Sequence, residues 1–264
     1  MERALREFWS EYYSALRAGH LSKGKLVSEP VHGRNQFTTR AAHVRHIESY
    51  TCMKLAEALG VPIDEVGPKR IRLSDSRTKD FDCCWPLTGE PKILISVKSM
   101  QNAYRNLTNR IEEAYGDLAV LRLYGKEAVF GFLYVILDGP VARGEIGQMQ
   151  GPSGRMRPFT ALVEQGGDFL ENPPTTVYSK KADTIAKGAA VLLDMISPEP
   201  IKDPLNSRIF YDSIAFIPTR FERSGASLVS PEGWNPIISP VPDELDQTSF
   251  FIRLVETAKI RRLV

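Results

Sequence analysis

Residues Ile93–Met100, ILISVKSM, predict the strand on which the rest of the fold depends. An apolar run of this length, bounded by turn residues, is typical of a buried β-strand. Because side chains alternate along a strand, Ser96 and Lys98 are expected on the same face. A buried strand that ends in a lysine aligned with a serine indicates a polar site at its carboxyl end.

The residues before this strand predict its hairpin partner. DFDCCWPL (80–87) is a short apolar run that begins with two acids, and TGEPK (88–92) is a turn that contains glycine. Asp80 and Asp82 are two residues apart and are therefore expected on one face of the strand. Asp82 lies within the apolar run, which favours it over Asp80 as a functional residue. A hairpin would bring its carboxylate close to the amine of Lys98.

The residues after this strand complete the outline of an α/β core. NLTNRIEEAYGDLAVLRLYG (106–125) predicts a helix that ends at Gly125, and AVFGFLYVIL (128–137) predicts a central strand. Strand, strand, helix, strand is the order expected of such a core. The other predicted elements are helices at 1–18, from Thr38 or Thr39 to Leu59, at 180–195 and at 244–263, a strand at 208–221, and a long Gly/Pro-rich connection at 138–176.

Composition limits the class of protein. The chain has 264 residues, 42% hydrophobic and 25% charged, with a net charge of +2 and three cysteines. It has no apolar run long enough for a membrane span, and its amino end resembles an amphipathic helix more than a signal peptide, so we expect a cytoplasmic protein without a membrane partner. The three cysteines lack metal-site spacing and are expected to be reduced. The sequence has no Gly-rich phosphate loop and no nucleophile elbow, so we expect no nucleotide cofactor.

An aspartate, a second acid and a lysine two residues later form the PD-(D/E)xK nuclease signature, which Asp82 and Lys98 resemble. Hydrolysis of a phosphodiester needs a hard cation such as Mg²⁺, held by carboxylates, and a positive charge beside the water or the phosphate. Ser96 occupies the place of the second acid. Ser96, Lys98 and the later Glu112 resemble the branch of Type II restriction enzymes that cut CCGG-containing sites, in which a glutamate on the following helix replaces that acid.

A longer stretch resembles the core of the XhoI family of Type II restriction enzymes. That core has TK, one or two residues, D, a hairpin, a strand ending in LKS and then NNRxEEAxG, which TKDFDCCWPLTGEPKILISVKS and NLTNRIEEAYGDL follow here. The family's metal-binding glutamate is Ser96 in this chain. The matching residues are Thr78, Lys79, Asp82, Lys98, Ser99, Asn109, Arg110, Glu112, Glu113 and Gly116.

The resemblance implies a restriction-endonuclease-like α/β fold, with a central mixed β-sheet flanked by helices and with helical amino- and carboxy-terminal elaborations. It implies a single domain over residues 1–264, with its catalytic core at about 69–140. The implied activity is Mg²⁺-dependent, site-specific hydrolysis of double-stranded DNA at a short palindromic site, which a homodimer would read.

The roles implied for individual residues follow from the same resemblance. Asp82 and Glu112 would hold the metal, Lys98 would orient or activate the attacking water, and Ser96 would fill the vacated acid position. Glu113 and Glu48 remain alternative metal ligands. Arginine and asparagine pair with base edges, and the residues expected to contact DNA are Asn102, Arg105, Asn106, Asn109, Arg110, Arg155 and Arg157.

Other interpretations stay open. Lys98 can be a strand-end lysine that reaches solvent, and Glu112, Glu113 and Glu48 can be ordinary helix-surface acids. His43 and His46 are interpreted as structural or DNA-contacting residues, because no third histidine or cysteine pair accompanies them. Two other functions compete with restriction: a non-specific or repair nuclease of the same fold, and a catalytically inactive DNA-binding protein.

Overall fold

The structure is a computed structural model. It describes residues 1–8, 44–75, 77–100, 107–123, 127–137, 143–150, 156–162, 164–165, 168–169, 186, 188–196, 210–223 and 234–264. Its strands, in chain order, are β1 Gly67–Ser74, β2 Arg77–Trp85, β3 Ile93–Met100, β4 Val129–Leu137, β5 Arg143–Gln150, β6 Met156–Leu162, β7 Glu164–Gln165, β8 Asp168–Phe169, β9 Ser213–Arg223 and β10 Trp234–Ile238.

Six of these strands form one mixed sheet in the order β1-β2-β3-β4-β9-β10. Strands β1, β2 and β3 are antiparallel neighbours, as a meander of short connections requires. Strand β3 pairs in parallel with β4, and β4 in parallel with β9. The predicted α/β class with a mixed central sheet is therefore confirmed, while its restriction-endonuclease-like identity stays a prediction.

The helices are α1 at 2–8, α2 Arg45–Leu59, α3 Leu107–Leu123, α4 at 188–194 and α5 Gln247–Ile260, with short 3-10 turns at Ile63–Glu65 and Asp243–Leu245. Gly60 follows α2 with a φ of 69°, the left-handed conformation that favours glycine at a helix end. Asp246 caps α5 by accepting a hydrogen bond from the Thr248 N–H at 2.7 Å. The stop of α2 is as predicted; its predicted start near Thr38 lies outside the described residues.

Strand β4 is buried on both faces, which explains its continuous apolar sequence. One face belongs to the same hydrophobic cluster as α3, to which β4 contributes Phe130, Phe132, Tyr134 and Ile136, and α3 contributes Ile111, Ala114, Leu118 and Leu121. On the other face, a Cβ on Gly131 would lie 2.9 Å from Phe250 Cζ and 3.2 Å from Leu254 Cδ1. Helix α5 therefore approaches the strand closely because residue 131 has no side chain.

Some predicted boundaries are wrong. Within the connection predicted at 138–176, the structure places the antiparallel pair β5–β6 and the short pair β7–β8. The strand predicted from 208 begins at Ser213, after a single bridge between Tyr211 and Ile196. The last helix begins at Gln247 instead of Glu244, because Asp243–Leu245 form a separate 3-10 turn before the Asp246 cap.

The chain divides into two compact units. The first contains Met1–His46, Gly139–Ala182 and Arg220–Ile237, and the second contains Ile47–Asp138, Asp183–Thr219 and Ile238–Val264. The single domain expected over residues 1–264 stays a prediction. All the predicted catalytic and metal-binding residues belong to the second unit. Among the described residues, no helix has the length and apolar character needed to cross a membrane.

Candidate functional site

Strands β2 and β3 separate at the predicted site. They pair over only three positions, Trp85 with Ile93, Cys84 with Leu94, and Cys83 with Ile95. Beyond these pairs β2 continues alongside β1, and β3 continues alongside β4. Asp82 and Ser96 are the first residues past the last pair, and Lys98 follows two positions later. We call this opening, defined by Asp82, Ser96 and Lys98, the strand fork.

Asp82 spans the strand fork with its side chain. Its Oδ2 atom accepts a hydrogen bond from the Val97 backbone N–H at 2.7 Å, at a position where a continued hairpin would have backbone pairing. Burial raises the pKa of Asp82, while the hydrogen bond from Val97 and the positive charge of Lys98 act against this rise. The carboxyl group is therefore largely withdrawn from solvent and held in a fixed orientation.

The side chain of Lys98 lies close to helix α3. Its Nζ atom lies 4.0 Å from Glu113 Oε1, and both side chains are partly exposed. The spacing in the sequence favoured Glu112, which is exposed and forms no ion pair within the described part of the chain. The geometry thus places Glu113, and not Glu112, beside Lys98; which of them binds metal stays a prediction.

Ser96 lies in the interior of the fork, with 4% of its surface exposed. It is two residues before Lys98 on β3, so the alternation of the strand places both side chains on one face, as predicted. Ser96 has no carboxylate, so a second acid at the fork would have to come from a different element.

Glu48 approaches the fork from α2. Burial and the negative charge of Asp82 raise the pKa of Glu48 to about 7, and the positive charge of Lys98 opposes this rise. Glu48 is therefore within electrostatic reach of two fork residues, although it comes from a helix more than thirty positions earlier. The interpretation of Glu48 as a solvated surface acid does not fit this half-buried environment.

Sequence reasoning missed an ion pair next to the fork. Lys79 Nζ, on β2, lies 2.5 Å from Asp117 Oδ1, on α3, and 5.5 Å from the centre of the Phe81 ring. Lys79 lowers the pKa of Asp82 and Asp117 raises it, so both charges act on the fork. Asp117 lies one helical turn after Glu113, so both lie on one face of α3, but no pattern in the sequence pairs that face with Lys79.

Asp80 has a different environment from Asp82. Both of its carboxylate oxygens are bound by Arg70 of β1, at 2.6 and 2.8 Å, on the exposed side of the β1–β2 pair. The hydrogen bonds from Arg70 lower the pKa of Asp80. Asp80 is thus engaged in a surface ion pair with Arg70, and the choice of Asp82 as the candidate ligand stays a prediction.

The three cysteines, Cys52, Cys83 and Cys84, are free, buried thiols, as expected. Cys52 Sγ is 3.8 Å from the Asp82 carbonyl oxygen, and a hydrogen bond with Cys83 lowers the pKa of Cys52. Burial raises the pKa of Cys83, and it raises that of Cys84 to about 12. Of the two histidines considered as ligands, His46 and His43, the first has its Nδ1 atom 3.1 Å from Glu7 Oε2 within the first unit, and the second is outside the described residues.

The donor chemistry at the fork fits a hard divalent cation. Within the described ranges, no three acidic, histidine or cysteine side chains already converge as a metal cage. Mg²⁺ does not require such a cage, because it keeps several waters and commonly binds one or two carboxylates. Four carboxyl groups and two lysine ammonium groups lie at the fork or next to it. When all six are ionised, negative charges outnumber positive charges by two. The six residues are Glu48, Asp82, Glu113, Asp117, Lys79 and Lys98.

The predicted DNA-contacting residues lie at the margins of what the structure describes. Asn109 and Arg110 occupy the first turn of α3, and Arg157 belongs to β6. Asn102, Arg105, Asn106 and Arg155 lie outside the described residues. The role of all seven in DNA binding stays a prediction.

Comparison with known proteins gives no relative. No protein family, no curated protein and no solved structure matches the chain. The functional argument therefore depends on the residues of the strand fork.

Proposed function

We propose that this chain hydrolyses phosphodiester bonds with the help of Mg²⁺, and that the strand fork is its active site. One observation carries the proposal: Asp82 and Lys98, on neighbouring strands, are in electrostatic contact with carboxyl groups from two different helices, Glu48 and Glu113. A partly buried group of opposite charges with surplus carboxylates is the environment in which functional acids and bases are commonly found.

Each fork residue has a defined task in this proposal. Asp82 holds the cation, with Glu48, Glu113 or Glu112 as the second carboxylate. When bound, Mg²⁺ polarises the phosphate and acidifies a coordinated water. Lys98 places a compact positive charge next to the scissile phosphate and orients the attacking water. The Ser96 hydroxyl donates or accepts a hydrogen bond where the family's second acid would be.

We further propose that the substrate is double-stranded DNA and that the protein is a Type II restriction endonuclease. The support is that residues matched to the XhoI core from separate parts of the sequence lie together at the fork, namely Lys79, Asp82, Lys98 and Glu113. A homodimer would present two forks to the two strands of a palindromic site.

Plasmid cleavage tests the proposal. Purified protein is incubated with plasmids of known sequence in Mg²⁺ and in EDTA, alongside Lys98→Met, Glu113→Gln and Glu112→Gln. We expect discrete, metal-dependent bands that Lys98→Met abolishes and that Glu113→Gln reduces more than Glu112→Gln. Arg70→Met is the matched control, because it removes a strand cation of the same charge from the exposed Asp80 pair.

Other outcomes separate the alternatives. A ladder of fragments in place of discrete bands would indicate a non-specific or repair nuclease with the same site. Retained DNA binding without cutting, unchanged by Lys98→Met, would indicate an inactive DNA-binding protein. Ser96, at the place of the usual acid, is the residue that favours this second alternative.

A further inference from the structure

The Lys79–Asp117 pair connects the strand that carries Asp82 to the helix that carries Glu113. The ammonium and carboxylate lie 2.5 Å apart, and only 18% and 23% of the two side chains are exposed. The Phe81 ring, 5.5 Å from the Lys79 ammonium, forms one wall of its environment. An ion pair with this degree of burial is less screened by solvent than a surface pair.

Both charges of the pair act on Asp82, and they act in opposite senses. Lys79 favours a negative charge on Asp82 and Asp117 disfavours it. Within the described residues, Lys79 forms its ion pair with Asp117 and not with Asp82. The chain therefore keeps a lysine close to its candidate cation ligand while another acid occupies that lysine.

We infer that Lys79 and Asp117 are positioning residues that set the affinity of the strand fork for a divalent cation: Asp117 retains the Lys79 ammonium, which would otherwise compete with the cation for Asp82. This inference rests on the proposed cation site at Asp82 and deepens it. The two residues touch neither substrate nor cation; they act by placing one positive charge.

The inference makes opposite predictions for the two halves of one ion pair. Asp117→Asn releases the Lys79 ammonium and removes a negative charge, so both effects weaken cation binding. Lys79→Met removes the competing ammonium and leaves the Asp117 carboxylate unneutralised, so cation binding strengthens. If the ion pair served only to hold α3 against the sheet, Lys79→Met and Asp117→Asn would both disrupt that contact and would change cation affinity in the same direction.

The experiment is a Mn²⁺ titration of the full chain, followed by the electron paramagnetic resonance signal of free Mn²⁺. We expect Asp117→Asn to weaken the dissociation constant about three- to tenfold and Lys79→Met to tighten it by a similar factor, as for one partly screened charge close to the ligand. The double variant Lys79→Met/Asp117→Asn is expected to return close to the parent value. Lys79→Arg, which keeps the charge, is expected to change affinity less than Lys79→Met.

Three further proteins make the result decisive. Arg70→Met and Asp80→Asn break the exposed pair on the same strands and should leave the dissociation constant unchanged. Asp82→Asn should abolish binding. If it does, but Lys79→Met and Asp117→Asn shift affinity in the same direction or not at all, the inference is wrong and the proposed site stands. If the parent chain binds no Mn²⁺, or Asp82→Asn binds it unchanged, the proposed site itself is wrong, and the inference with it.

Discussion

The carboxylate of Asp82 accepts a hydrogen bond from the backbone N–H of Val97 at the point where β2 and β3 separate, with 2.7 Å between the two atoms. The side chain thereby replaces the next backbone interaction of the hairpin. Because a carboxylate has two oxygens, one residue can order the β3 backbone and also contribute to a cation site. The hydrogen bond from Val97 offsets part of the cost of placing an acid inside an apolar strand.

The Asp82–Val97 contact predicts that the structural and chemical roles of Asp82 can be separated. Asp82→Ala leaves the Val97 N–H without its acceptor and should lower the free energy of unfolding by about 1–3 kcal/mol. Asp82→Asn keeps an acceptor oxygen and should be closer to the parent chain. Urea unfolding measures both. Equal stability of the alanine variant and the parent would mean that the hydrogen bond does not support the fork.

Close packing at Gly131 predicts a second effect on stability. A methyl group there would meet the Phe250 ring at 2.9 Å and side chains of β3 and α5 at 3.2 Å. Gly131→Ala is therefore expected to lower the free energy of unfolding by about 1–3 kcal/mol through overpacking. Gly131→Ala combined with Phe250→Leu should recover part of the loss, if the ring is the main obstacle.

Gly116 provides the matched control for that substitution. It lies in α3, and apart from its own helix no atom of the described residues would lie within 4 Å of a Cβ there. Gly116→Ala should raise stability by about 0.5–1 kcal/mol, because alanine has less backbone entropy to lose in a helix. Urea denaturation of both variants measures the contrast; a similar effect from both substitutions would contradict the packing argument.

The central elements of the fold could be predicted because their signals are local. The β2–β3 hairpin follows from a glycine-containing turn between apolar runs, and the end of α2 follows from Gly60. The strands within residues 143–169 could not be predicted in the same way, because their sequences contain glycine and proline and lack clear alternation. Their pairing depends on partners that a local pattern does not identify.

The candidate site was predictable only on its strands. The alternation of side chains along a strand predicted that Ser96 and Lys98 lie on one face. The apolar residues around Asp82 favoured it over Asp80 as a functional residue. On α3, one position changes the direction of a side chain by about 100°, so spacing could not distinguish Glu112 from Glu113. Glu48 and Asp117 reach the fork through the packing of helices against the sheet, which no single segment of the sequence encodes.

A buried ion pair near the carboxyl end predicts a large effect on stability. Arg261 Nη2 contacts Asp212 Oδ1, and Asp212 Oδ2 also accepts a hydrogen bond from the Phe130 N–H at 2.8 Å. The two side chains are 3% and 1% exposed. Arg261→Met takes the guanidinium away from a buried carboxylate and should lower the free energy of unfolding by about 3–5 kcal/mol.

The partner variants test whether charge is the cause. Arg261→Met/Asp212→Asn should be more stable than Arg261→Met alone, because the buried negative charge of Asp212 is removed while an oxygen remains for the Phe130 N–H. Arg70→Met, which breaks an exposed pair, should change stability by less than about 1 kcal/mol. Urea unfolding of the three variants gives the comparison. An Arg261→Met effect as small as that of Arg70→Met would show that the buried pair contributes little.

The environment of Glu48 predicts how stability depends on pH. Its pKa is raised from 4.5 to about 7 in the folded chain, chiefly by burial and then by the charge of Asp82. Between these two values the folded state retains a proton that the unfolded state releases, so this group makes the protein less stable as pH rises. Below pH 4.5 Glu48 is protonated in both the folded and the unfolded state. Above about pH 7 it is ionised in both states, and its contribution to stability is then fully lost.

Glu48→Gln should remove this dependence. Relative to the parent chain, the variant is expected to gain stability progressively from about pH 4.5 to about pH 7 and to keep a constant advantage above that, by an amount that partial exposure to solvent reduces. Urea unfolding in EDTA across this range measures the difference, and parallel profiles of the two proteins would contradict the prediction.

Because a divalent cation binds ionised carboxylates, Mg²⁺ should stabilise the parent chain more at about pH 8 than at about pH 5. In Glu48→Gln that difference should shrink if Glu48 is one of the ligands, and it should persist if Asp82 is assisted by Glu113 instead.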